Sequence, residues 1–415
     1  MQLTPPAGDD IRLVHWVGRA FPDRPKKIGI AVSGGGDSMA LLHLFARWSA
    51  QTGHPIAAVT VDHGLRDGSD REAEGVAKFC ASLGIPHDTL LWNDWDGHGN
   101  LQAAARDARY KLMADWARDN GVGGIALGHT MDDGAETFLM RLSRKAGVDG
   151  LSAMDRVFTR DGLTYARPLW MCSRSDLRDY LTRNDVTWVD DPSNDDVDFE
   201  RIRVRKAMET LGESGLRPDA LTHAATALRQ SRDALDYYTA QEAATHITAE
   251  AGDLIMSLKP DVPDEIARRL RAKAIQWMGN LPYPPRGAAM QHLMEGLSLE
   301  GKHTLGGAIV TVKDGHMRIM REANAVRQDK CKTTEIWDGR WTLNGPHSDD
   351  LHIASLGDGI TQCPDWRDTG LQRTSLLASP AIWRGDTLIA APLAGLQCGW
   401  TARIVADFHS SLNAH

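Results

Sequence analysis

The sequence predicts an α/β protein built on a doubly wound parallel sheet, followed by a helical domain and a small β-containing C-terminal module. Two observations lead to this class. In the first half of the chain, short apolar runs alternate with amphipathic stretches of about 10 to 15 residues, the pattern of βαβ units. After about Gly215 this alternation stops, and longer helical patterns take over.

The chain has 415 residues, which suits two or three domains at roughly 150 residues each. We expect an α/β domain over residues 1–214, a mainly helical domain over 215–325 and the β-containing module over 334–415. Hydrophobic residues make up 42% and charged residues 25% of the chain. This ordinary globular composition excludes collagen-like and wholly disordered classes.

The lack of a recognisable targeting signal and the scattered cysteines predict a cytoplasmic location and no membrane partner. No apolar run approaches the roughly 18 to 20 residues that span a bilayer. The N-terminus lacks the basic stretch and apolar core of a signal peptide. The five cysteines are scattered and form no CxxC pair, which fits a reducing compartment. The net charge of -8 argues only mildly against nucleic-acid binding, because local basic patches can outweigh an average.

The predicted elements follow in chain order. In the first domain we expect a helix over 10–20, then strands over 28–32, 56–61, 86–91 and 124–128, each followed by a helix, over 38–49, 71–83, 101–119 and 132–145. Crossovers of this length are what parallel neighbours require. Later helices are expected over 220–241, 264–278 and 286–297, a hairpin over 303–322 with its turn at Asp314-Gly315, and short strands at 335–337, 340–343 and 387–391.

The most informative segment is the glycine-rich turn SGGGDS between the first strand and its helix. Its residues are Ser33, Gly34, Gly35, Gly36, Asp37 and Ser38. Glycines let a backbone approach phosphates closely, and the N–H groups of the next helix favour an anion. The turn is neither a Walker A loop nor a GxGxxG motif. A carboxylate beside a polyphosphate needs a cation between them, so Asp37 indicates Mg²⁺ coordination; a helix cap is its alternative.

Further polar residues are expected near this turn. Asp62 and His63 end the second strand, at the edge where open α/β sheets bind ligands. Asp133 and Glu136 share one helix face and could bind an ammonium group or accept its proton, although a solvated acidic helix start would look the same. Asp132, in the first turn, could be a cap or a metal ligand.

Basic residues suggest phosphate contacts. Arg106 and Arg109 share one face of a predicted helix, although ordinary surface arginines are common. Arg201, Arg203 and Arg205 alternate, so in an extended segment they would line one side and offer a basic edge to RNA or a triphosphate. A second cluster, on a predicted helix, could contact RNA or simply be solvated; it contains Arg268, Arg269, Arg271 and Lys273.

SGGGDS resembles the signature of the N-type ATP pyrophosphatases, the PP-loop superfamily, which cleave ATP between its α and β phosphates and adenylate an oxygen. Five more segments narrow the resemblance to the tRNA(Ile)-lysidine synthase family over about the first half of the chain. In order they are VDHGLR (61–66), GHTMDDGAET (128–137), RPL (167–169), WVDDPSN (188–194) and FERIRVR (199–205).

This resemblance implies an adenine nucleotide alpha hydrolase-like fold and a ligase that forms a carbon–nitrogen bond. Its substrates would be ATP, with Mg²⁺, L-lysine and the isoleucine tRNA with a CAU anticodon; residues 215–325 would bind tRNA, and a homodimer is one option. It implies ATP contacts by residues 33–38, Asp62, His63, Arg109, Gly128 and His129, and a magnesium ligand in Asp37. Asp37, Asp132, Asp133 and Glu136 would be catalytic, Asp133 and Glu136 would bind lysine, and Arg201, Arg203 and Arg205 would contact tRNA or phosphate.

The chain departs from the family pattern at three positions. The family has a second histidine where this chain has Thr130, a glutamine at Gly134 and an asparagine at Ile202. Two other functions therefore stay open. One is another PP-loop ligase, such as a tRNA thiolase or an ammonia-using synthetase, although no paired cysteines or glutaminase domain are visible. The other is a non-catalytic tRNA-binding relative.

Overall fold

The computed structural model describes residues 8–64, 68–93, 95, 97–189, 200–297 and 301–413. The chain folds into two compact units, residues 1–232 and 233–415. The first contains a mainly parallel sheet with helices on both faces, as the sequence predicts. The second is rich in strands.

The first unit is built on a six-stranded sheet in the order β3-β2-β1-β4-β6-β5. The strands are β1 (Ile28–Ala31), β2 (Ile56–Asp62), β3 (His87–Leu91), β4 (Gly124–Leu127), β5 (Val157–Arg160) and β6 (Leu163–Ala166). All neighbours pair in parallel except β5 and β6, which form an antiparallel hairpin. The chain moves outward from β1 to β3 and then returns to β4 on the other side of β1. This reversal is the topological switch point, where open α/β sheets bind ligands.

Helices cover both faces of this sheet. They are α1 (Asp9–Val17), α2 (Gly36–Thr52), α3 (Ser69–Ser82), α4 (Leu101–Asp119), α5 (Met131–Ser143), α6 (Val148–Leu151), α7 (Arg174–Arg183), α8 (Glu200–Glu213) and α9 (Pro218–His246), whose last residues belong to the second unit. Along β1, Ile30 packs with α1, α2 and α7 while its neighbour Ala31 packs with α4. This alternation of side chains between two cores is the doubly wound arrangement.

The sequence patterns located most of these elements but missed β5, β6, α6, α7 and α8. The β5–β6 hairpin is only four residues per strand, and α7 and α8 carry few apolar residues, so each offers only a short pattern to recognise. The missed elements include two helices that prove important for the site.

Within residues 233–297 and 301–413, the second unit forms three sheets. The largest is antiparallel, in the order β7-β8-β11-β10-β9, within the segment expected to be mainly helical. The strands are β7 (Ile247–Glu250), β8 (Asp253–Ser257), β9 (Lys302–Leu305), β10 (Ala308–Lys313), β11 (His316–Arg321), β12 (Cys331–Lys332), β13 (Trp341–Asn344), β14 (His352–Ser355), β15 (Pro380–Arg384), β16 (Thr387–Ala390) and β17 (Thr401–Ile404). The hairpin at Asp314-Gly315 is confirmed, and both turn residues have positive φ. Residues 335–337 form only an isolated bridge, from Trp337 to Trp341, and not the expected strand.

Helices α10 (Asp264–Gly279), α11 (Gly287–Leu297) and α13 (Phe408–Asn413) share a core with this sheet, and α12 (Arg373–Leu377) is a short fourth helix. The smaller sheets enclose Trp337, Trp341 and Trp400. All five cysteines lie in the described ranges and are free thiols. In the part of the chain that the structure describes, no helix is both long and apolar enough to cross a membrane.

Candidate active site

A cavity of about 740 Å³ opens at the carboxyl ends of β1, β2 and β4, beside the switch point. It brings together residues from most of the predicted site positions. They are Ser33, Gly35, Gly36, Asp37, Ser38, Asp62, His63, Arg109, Gly128, His129, Asp133, Arg201 and Arg205. Gly34, Asp132, Glu136 and Arg203 do not line it. Sequence positions spread over 170 residues therefore converge on one edge of the sheet.

The phosphate loop, residues 33–38, is shaped by its own backbone and by Ser38. Gly34 has a φ of +86°, which favours glycine. The Ser38 hydroxyl donates to the carbonyl of Gly35 at 2.9 Å and accepts from the amide of Ser33 at 3.1 Å. Helix α2 begins at Gly36, so its free N–H groups lie in the loop. The loop can therefore hold an anion with backbone donors.

Gly128 has a steric role beside this loop. A Cβ atom at this position would lie 3.1 Å from the Cα and amide nitrogen of Ser38. Because that neighbour is backbone, it cannot move aside easily. Glycine therefore allows the end of β4 to approach the start of α2.

Asp37 lies in the first turn of α2 and faces the cavity. Burial raises the pKa of its carboxyl, an effect that the guanidinium of Arg174 opposes. Its Oδ2 accepts a bond from Nε of Arg174 at 3.2 Å. Mg²⁺ commonly takes one or two protein carboxylates and completes its shell with water and phosphate oxygens. A single carboxylate beside an anion-binding loop fits that requirement.

A cluster of four carboxylates and three arginines lies behind the loop; we call it the acid–arginine cluster. Its members are Asp37, Asp132, Asp133, Glu136, Arg174, Arg201 and Arg205. Each guanidinium nitrogen of Arg174 contacts a different carboxylate, Asp37, Asp133 or Glu136, at 3.2 Å. Its backbone amide donates to Asp132 at 2.7 Å. Burial alone would lower the pKa of Arg174, but these carboxylates raise it above its usual value.

Arg201 and Arg205 complete the pairing. Arg201 donates to Asp133 at 2.9 Å and to Glu136 at 2.6 Å, and Arg205 donates to Glu136 at 2.9 Å. Glu136 is only 1% exposed, so it is a buried carboxylate held by three guanidinium groups. Asp133 and Glu136 do share one face of α5, as their spacing predicts. In this structure that face is occupied by arginines.

The expected extended segment at 201–205 is wrong, because these residues begin helix α8. Helical spacing places Arg201 and Arg205 on one face, toward α5, while Arg203 points elsewhere and is exposed. The three arginines therefore do not share an edge. Ile202, one of the three departures from the family pattern, is buried.

The other two departures have clear structural roles. Thr130 is the N-cap of α5 and forms a capping box with Asp133. Both the amide and the hydroxyl of Thr130 donate to Oδ2 of Asp133, at 2.7 and 3.0 Å, which leaves Oδ1 for the arginines. The cap is thus Thr130 and not Asp132. A Cβ at Gly134 would lie 2.5 Å from the Trp170 ring, so glycine makes room for that indole.

Three further predicted residues line the cavity. His129 is neutral, because burial and neighbouring arginines lower its pKa to about 2. Its Nδ1 accepts a bond from Nε of Arg167 at 3.2 Å, so the ring proton lies on Nε2. Burial lowers the pKa of His63, whose ring meets Trp92 edge-on. Burial also lowers the pKa of Arg109, which stays cationic.

Three members of the second basic cluster bond other parts of the protein, and a role of this cluster in RNA binding stays a prediction. Arg269 is 3% exposed and pairs with Asp236 at 3.0 Å and Glu265 at 2.9 Å. Arg268 also pairs with Glu265, and Arg271 donates to the carbonyl of Leu258. Parts of three motifs, residues 65–66, 190–194 and 199, lie outside the described residues.

Sequence reasoning missed Arg174, the centre of the acid–arginine cluster. The sequence does contain a pattern that points to the helix on which Arg174 lies. Ser173 and Asp176 form a capping box, so S-x-x-D marks a helix start at this point. What the pattern cannot show is that the first residue of that helix faces three carboxylates from α2 and α5.

The fold and the site together define an ATP-binding PP-loop enzyme. Residues 12–211 match the PP-loop domain family. The chain is 44% identical to the tRNA(Ile)-lysidine synthase of Ruegeria pomeroyi, over 94% of this chain and 95% of that protein. It is 38% identical to that of Zymomonas mobilis over 71% and 88% of the two chains, and 34% identical to that of Brucella suis over 94% and 91%. The chain belongs to the tRNA(Ile)-lysidine synthase family.

Proposed function

We propose that this protein ligates L-lysine to C2 of the wobble cytidine of the isoleucine tRNA with a CAU anticodon. The reaction consumes ATP, passes through an adenylated tRNA, and releases pyrophosphate and AMP. Its product, lysidine, lets the tRNA read AUA. The observation that carries the proposal is the single cavity that joins a backbone-built phosphate loop to a buried acid–arginine cluster.

The first step is adenylation of the base. Residues 33–38 hold the β and γ phosphates through backbone N–H groups, while Arg109 faces the same cavity and stabilises phosphate charge. The C2 oxygen of cytidine attacks the α-phosphorus, the bond from that phosphorus to the oxygen bridging to the β-phosphate breaks, and pyrophosphate leaves. Mg²⁺, held by Asp37 and phosphate oxygens, would neutralise the charge of the departing group. The neutral His129 can donate from Nε2 without adding positive charge.

The second step is attack by lysine. Of the three guanidinium groups in the acid–arginine cluster, that of Arg201 is the most exposed to solvent. We propose that the lysine ε-ammonium replaces the guanidinium of Arg201, whose side chain is 44% exposed, at Asp133 and Glu136. A carboxylate accepts its proton, the amine attacks C2, the C2–O bond breaks, and AMP leaves. The displaced guanidinium of Arg201 can then contact phosphate oxygens in the same cavity.

The RNA must present an unpaired base to this cavity. A loop nucleotide suits that need, because it can turn out of its stack at small cost. As part of the same proposal, residues 215–325 bind the rest of the tRNA, and the reaction takes place in the cytoplasm, which suits five free thiols.

Mass spectrometry of the tRNA product tests the proposal. An isoleucine tRNA transcript with a CAU anticodon is incubated with the enzyme, ATP, Mg²⁺ and lysine, then digested to nucleosides. We expect a mass gain at the wobble nucleotide equal to lysine less water. The gain should need both ATP and lysine and should vanish in Asp37→Ala.

Other outcomes identify other functions. A product that forms without lysine, and carries sulfur or an amino group, would indicate another PP-loop ligase. Binding of tRNA with no pyrophosphate release would indicate a non-catalytic relative. Either result overturns the proposal.

A further inference from the structure

We infer that a basic groove beside the nucleotide cavity binds the phosphate backbone of the RNA substrate, an inference that rests on the proposed function. The groove has a volume of about 480 Å³ and lies within the first unit. One side is formed by Arg12 and Trp16 of α1 and by Arg19 just after that helix; the other is formed by Arg156, Arg167, Pro168, Trp170 and Met171. We call it the α1 groove.

The charge of the α1 groove has one sign. Four arginines and one histidine line it, and no carboxylate is among its described lining residues. Arg12, Arg19 and Arg156 are exposed, and none of them forms an ion pair with any carboxylate in the described ranges. This concentration of unpaired positive charge is unusual in a protein whose net charge is -8. Such a surface attracts a polyanion and gains affinity by releasing its counterions.

The α1 groove adjoins the nucleotide cavity through one side-chain contact. Arg167 lines the groove, His129 lines the cavity, and Nε of Arg167 donates to Nδ1 of His129 at 3.2 Å. Arg167 follows β6 directly, and its amide donates to the carbonyl of Arg156 at 2.8 Å, just before β5. The side of the groove that carries Arg156 and Arg167 therefore lies at the same carboxyl edge of the sheet as the cavity. An RNA strand whose base enters the cavity has its neighbouring phosphates close to this edge.

The exposed apolar surface in the groove favours RNA over an acidic peptide. Trp16 is 43% exposed and Met171 42% exposed. An exposed indole between arginines is a stacking surface for an unpaired base, the combination that single-stranded nucleic acids use. Arginine also suits phosphate, because its planar guanidinium can donate two parallel hydrogen bonds.

The test compares two triple variants of the full-length protein that lose the same charge. The groove variant is Arg12→Gln/Arg19→Gln/Arg156→Gln. The control variant is Lys78→Gln/Lys111→Gln/Arg118→Gln, whose exposed residues lie on α3 and α4 and line neither the groove nor the cavity. Affinity for the isoleucine tRNA transcript is measured at several salt concentrations. Binding of a fluorescent ATP analogue reports that the nucleotide cavity is intact.

We expect the groove variant to bind tRNA roughly tenfold more weakly at physiological salt. Its log affinity should depend less steeply on log salt, by about one for each phosphate that the protein no longer neutralises. Its ATP-analogue binding should match that of wild type. Trp16→Ala should weaken binding without changing the salt slope.

An equal loss of tRNA affinity in both triple variants would show that only the overall charge of the protein matters. That result would overturn the inference. Unchanged tRNA affinity in the groove variant would also overturn the inference. An acidic protein would then be the partner that the charge of the groove suits. Both of these results are measured as tRNA affinity. Failure of the proposed function is measured differently, as the absence of lysidine after incubation with the wild-type protein.

Discussion

The phosphate loop and the acid–arginine cluster meet in one cavity but are assembled in opposite ways. The loop is six consecutive residues, and its groups are backbone amides fixed by a strand before it and a helix after it. The cluster draws seven charged side chains from α2, α5, α7 and α8, up to 168 positions apart in the sequence. The first is a local structure, whereas the second exists only once four helices are packed.

The two regions also differ in what a substitution costs. Backbone donors in the loop stay in place when a single side chain changes. In the cluster, Asp37, Asp133 and Glu136 are each paired with an arginine from another helix, so removing one partner leaves an uncompensated charge in a partly buried site. Variants of the loop should therefore change chemistry with little change in stability, and variants of the cluster should change both.

The largest expected effect is at Asp37, which belongs to both regions. Asp37→Ala should lower the rate of pyrophosphate release by roughly 1,000-fold, because a metal ligand supplies several kcal/mol of charge stabilisation. Binding of tRNA should persist. Asp70→Ala removes an exposed acid from the first turn of α3 and should have no such effect. Normal turnover of Asp37→Ala would remove this residue from the mechanism.

Glu136 tests whether the cluster serves the lysine step. Glu136→Gln should slow lysine-dependent AMP release by about 100-fold, because the carboxylate that receives the ammonium is lost. Pyrophosphate release measured without lysine should continue. Glu213→Gln, at an exposed position of α8, is the matched control. Equal loss of both steps would show that Glu136 does not act selectively on lysine.

A buried hydrogen bond joins the helices that carry the two regions. His43 of α2 bonds Tyr180 of α7 at 2.7 Å, and burial lowers the pKa of His43 from 6.5 to about 4. The unfolded chain therefore binds this proton more readily, so the stabilisation is complete above pH 6.5 and is lost as the pH falls toward 4. We expect about 2 kcal/mol less stability at pH 5 than at pH 8 from this group.

The measurement is denaturant unfolding at both pH values, in wild type and in His43→Gln. The variant should be less stable at pH 8 but should lose less stability on acidification. An identical pH dependence in the two proteins would contradict a neutral, buried His43.

Arg174 tests the geometry of the cluster. Arg174→Lys keeps the charge, but a single ammonium cannot replace three guanidinium nitrogens that contact three carboxylates. Turnover should fall by about tenfold, because the misplaced carboxylates lose transition-state contacts. Arg183→Lys, at a half-exposed arginine of the same helix, is the control. If Arg174→Lys has full activity, charge alone is sufficient at this position.

The smallest effect is expected at Thr130, the N-cap of α5. Thr130→Val should lose about 1 kcal/mol of stability through the helix cap and should remove one of the two hydrogen bonds that Oδ2 of Asp133 accepts from residue 130. Thr130→Ser should restore both. Thermal unfolding measures the loss of the helix cap, and the KM for lysine measures the effect on Asp133. Equal behaviour of the valine and serine variants would exclude the hydroxyl from this role.

Sequence patterns predicted the sheet strands before β5, the hairpin at Asp314-Gly315 and the glycine loop, since each depends on neighbouring residues. They also placed Asp133 and Glu136 on one helix face. They failed at residues 201–205, where an alternation of arginines suggested a strand. Helix α8 formed there because good helix formers dominate the segment and the spacing of four brings Arg201 and Arg205 to the acids of α5.

The amino-acid sequence by itself determined an α/β nucleotide-binding fold and a phosphate-binding loop, because turns and short periodic elements are specified by local chemistry. It also indicated which family the chain belongs to. Only the tertiary structure decided that one arginine at the start of α7 holds three carboxylates, that Thr130 orients Asp133, and that exposed arginines gather beside the cavity. Such pairings arise when distant segments are brought within a few ångströms, and charge interactions at that range are set by packing rather than by position along the chain.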